Sequence, residues 1–183
     1  MVNRYRAITE NRSRIRPVEK CHARIKSARS MIEKLGRRNL EISAQSALCK
    51  VYDAVGIRII CGFVDDVYRV AAWLSVQPEI EIVDRKDYIA YPKPNGYRSL
   101  HLRVRLVTER AAPVLAEIQI RTMAIDFWAT LEHELKYKKE IGHEALLRSE
   151  LKRCADEIAA KDLSMQTIRD IIENPEDCRL DRE

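Results

Sequence analysis

Two short segments alternate so strictly that they admit one secondary structure. In YRSLHLRVRL (97–106) the even positions Leu100, Leu102, Val104 and Leu106 are apolar, while Tyr97, Ser99, His101, Arg103 and Arg105 take the other parity. In VLAEIQIRT (114–122) Ala116, Ile118 and Ile120 alternate in the same way with Glu117, Gln119 and Arg121. Successive side chains of a strand point to opposite faces, so a period of two predicts two half-buried strands. The VTERAAP segment joining them is short, and short connections join antiparallel neighbours. Pairing then buries one face and presents His101, Glu117 and Gln119 together on the other. A polar face shared by adjacent strands is either solvated or a site.

The rest of the chain supplies elements to pack on such a sheet. HARIK (22–26) is short enough for a strand. KSARSMIEKLG carries a helix signature: Ser27 can cap, Met31, Ile32 and Leu35 share a stripe, and Gly36 is placed to end it. SAQSALCKVYD is helical in pattern, and VGIRIIC (55–61) is a β-branched run typical of a buried strand. VDDVYRVAAWL puts Val67, Val70, Ala71 and Leu74 on one helical face, and IEIVDRKDYI returns as a strand. From Thr122 the pattern is helical, ending in a long segment after Gly142. There Leu147, Leu151, Cys154, Ala155 and Ile158 form a stripe that Met165, Ile168 and Ile172 continue. This helical arm calls for a partner surface, on its own domain or on another subunit. The order predicts an α/β (α+β) fold, a mixed sheet flanked by helices.

Composition narrows the function classes. With 183 residues the chain suits one domain plus an appendage. No apolar run approaches the ~20 residues of a membrane span. The basic N-terminus lacks the apolar core of a secretory signal, so a cytoplasmic protein without a membrane partner is expected. The five cysteines, Cys21, Cys49, Cys61, Cys154 and Cys178, show no C-x-x-C spacing, which argues against a disulfide framework or a zinc site. The net charge of +5 is concentrated in the first 38 residues, implying an anionic partner or simply solvent.

Arg24, Lys26, Ser30, Lys34 and Arg37 are spaced so that a strand end and the next helix direct cations and a hydroxyl at one point. That is either a polyphosphate cradle or a solvated basic face. The chain has no G-x-x-x-x-G-K-[ST], so it is not a P-loop. Asp53, just before a buried strand, and Glu117 are candidate ligands for a hard cation such as Mg²⁺; taken singly, each reads as a cap or a surface carboxylate. Asp65 and Asp66 fit the N-terminus of a helix. His133 reads as a packing histidine, and Trp73 and Trp128 as residues in or near the core.

RIKSARSMIEKL, DAVGIRIICGFVDDVYRV, DYIAYPKPNGYRSLHLRV and EIQIRTMAIDFWATLEHELKYK, in this order and spacing, resemble the synthetase domain of the RelA/SpoT family, most of all its single-domain members, the small alarmone synthetases. The resemblance runs from about Arg24 to Lys138. It implies a nucleotidyltransferase-like mixed sheet over residues 1–138, with a basic segment at 1–23, and an oligomerisation arm over 139–183 that builds a homotetramer. The implied reaction moves the ATP β,γ-pyrophosphate to the 3′-hydroxyl of GDP or GTP.

Carried over residue by residue, the resemblance has Arg24 and Arg58 sandwich adenine, and Lys26, Ser30, Lys34 and Arg37 hold the ATP phosphates. Arginine planes suit base stacking better than lysine does. Asp53 and Glu117 would bind Mg²⁺, with Glu117 placed to activate the acceptor hydroxyl. Tyr97 would stack on guanine, with Lys86, Lys93 and His101 near the acceptor phosphates, Asn95 shaping the loop, and Gln119 and Asp126 on the acceptor side. Phosphoryl-type transfer demands cations and metal more than a covalent nucleophile, so a lysine-rich site is chemically coherent. No His is followed by Asp, unlike the hydrolase domain of bifunctional members, and only 23 residues precede the first motif, so product hydrolysis is not expected. The alternatives are a toxic relative that pyrophosphorylates the tRNA 3′ end, and a tetrameric regulator that binds single-stranded RNA. Single-stranded RNA and an alarmone effector remain candidate further partners.

Overall fold

The computed structural model describes Tyr5 and residues 16–107, 114–137 and 144–174. The expected connection at 108–113, the segment 138–143 and Cys178 lie outside the described residues. Five strands, β1 (Val18–Ile25), β2 (Val55–Cys61), β3 (Ile80–Asp87), β4 (Leu100–Leu106) and β5 (Val114–Thr122), form one sheet in the order β1-β2-β5-β4-β3. Among the described residues only β2 and β5 pair in parallel, and the other three pairings are antiparallel. The sheet is mixed, as expected. β5 is its central strand and β2 lies between it and β1, so VGIRIIC becomes an interior strand.

Helices α1 (Ala28–Arg37), α2 (Ala44–Lys50), α3 (Val64–Ser75), α4 (Met123–Tyr137) and α5 (Glu144–Glu173) flank the sheet, with a 3₁₀ turn at Tyr52–Ala54. Leu100, Leu102 and Val104 of β4 and Ala116, Ile118 and Ile120 of β5 are all buried, joined by Val67, Val70, Ala71 and Leu74 of α3. The period-two and period-3.6 patterns therefore meet in one core. Trp128 is buried, and Trp73 packs at the edge of the core.

Four expectations are corrected. Gly36 lies inside α1; the chain leaves the helix at Asn39, whose φ of 52° takes the left-handed step that asparagine tolerates. Tyr97 and Ser99 precede β4, and Ser99 is buried with its hydroxyl satisfied by donating to the Ile120 carbonyl. His133 is exposed. On α5 the stripe through Leu151, Cys154, Ala155 and Ile158 packs inward, but Met165, Ile168 and Ile172 are exposed. The inward residues of that second half are polar. Asp162 accepts a hydrogen bond from Thr122, and Arg169 reaches Asp65 at 2.7 Å and Asp66 at 3.4 Å on the first turn of α3. Complementary charge docks this half of the arm.

Candidate functional site

Strand register assembles the site. On one face of the sheet, Arg24, Gly56, Glu117 and Arg103 form one cross-strand row, and His22, Arg58, Gln119, His101 and Lys86 form the next. Directly paired residues share a face, so the alternation seen in two strands extends over all five. The polar face is the floor of two clefts. One, of about 270 Å³, is lined by His22, Arg24, Arg58, Gln119 and Asp126 among others. The second, of about 240 Å³, is lined by Lys34, Arg38, Lys50, Tyr52 and Arg103. Asp53 and Glu117 line both.

Asp53 sits on the 3₁₀ turn, which Val51 and Ala54 anchor against Met31 and Leu35 of α1. Lys34, on the helical face next to that anchor, is thereby aimed at the turn. Lys34 donates to Asp53 Oδ2 at 2.5 Å and Lys26, just past β1, donates to the same oxygen at 2.8 Å. Burial raises the Asp53 carboxyl, but the hydrogen bonds and charges of the two lysines outweigh it and hold the group down at about 2. It is a fixed anion at neutral pH. Arg37, by contrast, is exposed and turns back to the Glu33 carbonyl, while the Ser30 hydroxyl lies 3.0 Å from that of Ser27. The five-residue cluster thus splits between the Asp53 knot, the first cleft and the open face of α1.

Glu117 is the centre of the other half. His101 Nδ1 faces its Oε1 across 3.6 Å, and Gln119 donates to its Oε2 at 3.2 Å. The imidazole lowers the Glu117 pKa and outweighs the burial that would raise it. His101 Nε2 lies 2.8 Å from the Tyr97 hydroxyl, which also accepts from Arg121 at 2.8 Å. The chain of contacts thus runs from Arg121, which donates to the Tyr97 hydroxyl, through His101 to Glu117. Arg121 also donates to Gln119 and, at 3.0 Å, to Asp126. Arg58 pairs with Asp126 at 3.4 Å, so this network runs from the first cleft to the Tyr97 loop.

In the loop itself, Asn95 donates to Glu132 at 3.1 Å and accepts from its own Tyr97 N–H, and Gly96 takes a φ of 85°. Such a φ strains residues with a Cβ. Lys93 lies over the rings of Tyr88 and Tyr97 at 4.6 and 4.9 Å. Lys86 is exposed beside His101 on β3.

The sequence reading missed Arg38, Lys50, Tyr52 and Arg103 of the second cleft, and Arg121, which is only 4% exposed despite its place in an alternating polar row. Arg103 was within reach of the pattern, since it lies directly opposite Glu117. Arg38 stands four residues after Lys34, on the same helical face. Lys50 and Tyr52 give no local signal.

Among the described residues no group of three or more His, Cys, Asp or Glu side chains gathers to hold a metal. Two ionised carboxylates in a cation-lined site do fit Mg²⁺, which prefers oxygen and commonly completes its shell with water and substrate phosphates. No described helix is long and apolar enough to cross a membrane.

Comparison with known proteins identifies the family. The family model described as "Region found in RelA / SpoT proteins" matches residues 23–142. The GTP pyrophosphokinase YwaC of Bacillus subtilis is 45% identical over 143 residues, covering 76% of this chain and 68% of that protein. YjbM, a second GTP pyrophosphokinase of Bacillus subtilis, is 36% identical over 156 residues, covering 84% and 72%. The crystal structure of the small alarmone synthetase 1 from Bacillus subtilis bound to its product pppGpp superposes with a TM-score of 0.79 at 34% identity, over 92% of this chain and 87% of that one. By family model, sequence and fold together, the chain belongs to the RelA/SpoT family.

Proposed function

We propose that this chain is a GTP pyrophosphokinase that makes (p)ppGpp by transferring the β,γ-pyrophosphoryl group of ATP to the 3′-hydroxyl of GDP or GTP. The observation that carries this reading is the placement of Asp53 and Glu117 on the wall shared by an arginine-lined cleft and a cation-lined one. The reactivity of the named relatives and the pppGpp bound to the structural neighbour support it.

In this reading Arg24 and Arg58 stack on adenine, and Lys26, Ser30, Lys34 and Arg37 take the donor phosphates. Lys26 and Lys34 are held by Asp53 in the free protein, which keeps two half-buried ammonium groups paired until phosphate oxygens replace the carboxylate. Asp53 and Glu117 are the residues that would hold Mg²⁺. When bound, that ion neutralises charge on the polyphosphate and the leaving group. The acceptor 3′-oxygen attacks the β-phosphorus, the bond to the bridging oxygen of the α-phosphate breaks, and AMP leaves. Glu117 takes the hydroxyl proton, kept ionised for this by the His101 N–H. Tyr97 stacks on guanine, Asn95 shapes its loop, Lys86, Lys93 and His101 face the acceptor phosphates, and Gln119 and Asp126 orient this side through Arg121.

Purified protein incubated with Mg²⁺, labelled ATP and GMP, GDP or GTP in parallel tests the reading. Label on the 3′ position of GDP or GTP supports it; label on tRNA instead, or salt-sensitive RNA binding without turnover, overturns it. Tyr97→Ala is expected to raise the acceptor KM by roughly 5- to 150-fold, from the ~1–3 kcal/mol of a base–aromatic stack, and to leave the ATP KM near normal. A defect confined to ATP contradicts that role.

The chain also acts, in this reading, as a cytoplasmic homotetramer. Met123, Phe127, Leu131 and Leu135 are exposed at every fourth position of α4, and Leu163, Met165, Ile168, Ile171 and Ile172 are exposed on α5. Apolar stripes of this kind mark interfaces, and a second copy of the chain is the occupant proposed. Light scattering should give four times the chain mass; a monomer at micromolar concentration removes the assembly from the proposal.

A further inference from the structure

The loop that carries Tyr97 does not stand on the sheet alone; it is pressed against α5. A Cβ added at Gly96 would come within 2.6 Å of the Ala155 Cβ and 3.3 Å of the Lys152 Cα, so the loop backbone lies directly on the helix. Beside this contact the Arg98 guanidinium forms a fork. Its Nη1 donates to the Gly96 carbonyl at 3.0 Å and to the Ala155 carbonyl at 3.4 Å, and its Nη2 donates to Asp156 Oδ1 at 3.0 Å. The Arg98 side chain is only 15% exposed, which limits competition from water. Under the loop, Trp128, Ala129 and Ala155 form a small core against which Tyr97, Leu151, Cys154 and Ile158 pack, and the Trp128 indole donates to the Leu151 carbonyl at 2.9 Å.

We infer that Arg98 and Asp156 are positioning residues for the acceptor nucleotide, acting through the Gly96–Tyr97 backbone. The arm is then part of the acceptor site as well as a surface for assembly. Three features separate this role from general packing. The fork bonds the carbonyl next to Tyr97 and not a remote point of the loop. A planar guanidinium presents several fixed N–H groups, so it can hold the loop carbonyl, the helix carbonyl and the carboxylate in one geometry, which a lysine could not. Small side chains are required on both sides of the contact, since Gly96 and Ala155 leave no room for a larger one. None of the fork's partners lies among the exposed apolar residues of α5, so it can be cut without touching that face.

The inference rests on the reading of Tyr97 as the guanine platform, and two measurements keep the two apart. For Asp156→Ala, hydrogen exchange of a peptide spanning 91–99 should quicken while β4 and β5 stay protected. In steady-state kinetics the same variant should raise the KM for GDP or GTP roughly five- to twentyfold, the span expected for losing a hydrogen-bonded charge, with kcat and the ATP KM within twofold of wild type. Asp156→Glu should restore most of both. Arg153→Ala removes ion pairs from Glu150 and Glu157 on the same helix without reaching the loop, and it should behave as wild type in both readouts. Unchanged loop exchange in Asp156→Ala, or equal rises in both KM values, overturns the inference. A Tyr97→Ala defect in acceptor KM that Asp156→Ala does not share overturns the inference alone. Quickened loop exchange in a protein whose wild type makes no alarmone keeps the fork and overturns the functional reading.

Discussion

Glu117→Gln is expected to abolish alarmone formation while ATP binding stays measurable. The substitution keeps the shape of the side chain but removes its charge and its capacity to accept a proton. In the structure one oxygen accepts from Gln119 and the other faces the His101 ring, so the amide oxygen keeps one of these donors and its NH2 group turns toward the other. A loss of turnover at an unchanged Tm therefore reports chemistry and not this local mismatch. General-base catalysis is worth about 10²–10⁴-fold, and loss of a metal ligand adds to it. Arg24, Arg58, Lys26 and Lys34 are untouched, so calorimetry with a non-hydrolysable ATP analogue should still give a binding isotherm. Turnover within tenfold of wild type removes Glu117 from the mechanism, and a parallel loss of ATP affinity moves it to donor binding.

Asp53→Asn is the second large effect, and it acts by a different route. The carboxylate accepts from two lysines at once, and an amide leaves those ammonium groups facing each other with one neutral oxygen between them. Because all three side chains are partly solvated, stability should fall by only about 1 kcal/mol, read as a shift of a few degrees in Tm. Turnover should fall by at least about 10²-fold, the scale for removing one electrostatic contact to the developing charge, and the Mg²⁺ concentration for half-maximal rate should rise. Lost turnover with an unchanged Mg²⁺ requirement contradicts a metal-binding role. Loss of the folded state would make Asp53 structural instead.

The two carboxylates were legible to very different degrees. Glu117 stood out because β4 and β5 alternate, and alternation alone places it beside His101 and Gln119. Asp53 stood out only as an acid before a strand; its bonds to residues 27 and 19 positions away belong to the packing of α1 on the 3₁₀ turn. The same contrast runs along α5. Its first half follows the apolar stripe inward, but its second half turns Asp162 and Arg169 inward because Thr122, Asp65 and Asp66 wait opposite. A buried charge is tolerable only beside its partner, and a partner on another element has no local signature.

By itself the sequence determined which residues share a face, where most helices and strands lie, and the motifs that resemble the RelA/SpoT synthetases, since side-chain period follows from the backbone geometry of each element. The tertiary structure alone decided which charges meet. It buried Arg121 between Tyr97, Gln119 and Asp126, gathered Lys26 and Lys34 on one oxygen of Asp53, and set the Tyr97 loop against α5 through Arg98. Hydrogen bonds and ion pairs depend on distances of a few ångströms in space, and those distances exist only once the five strands have found their order.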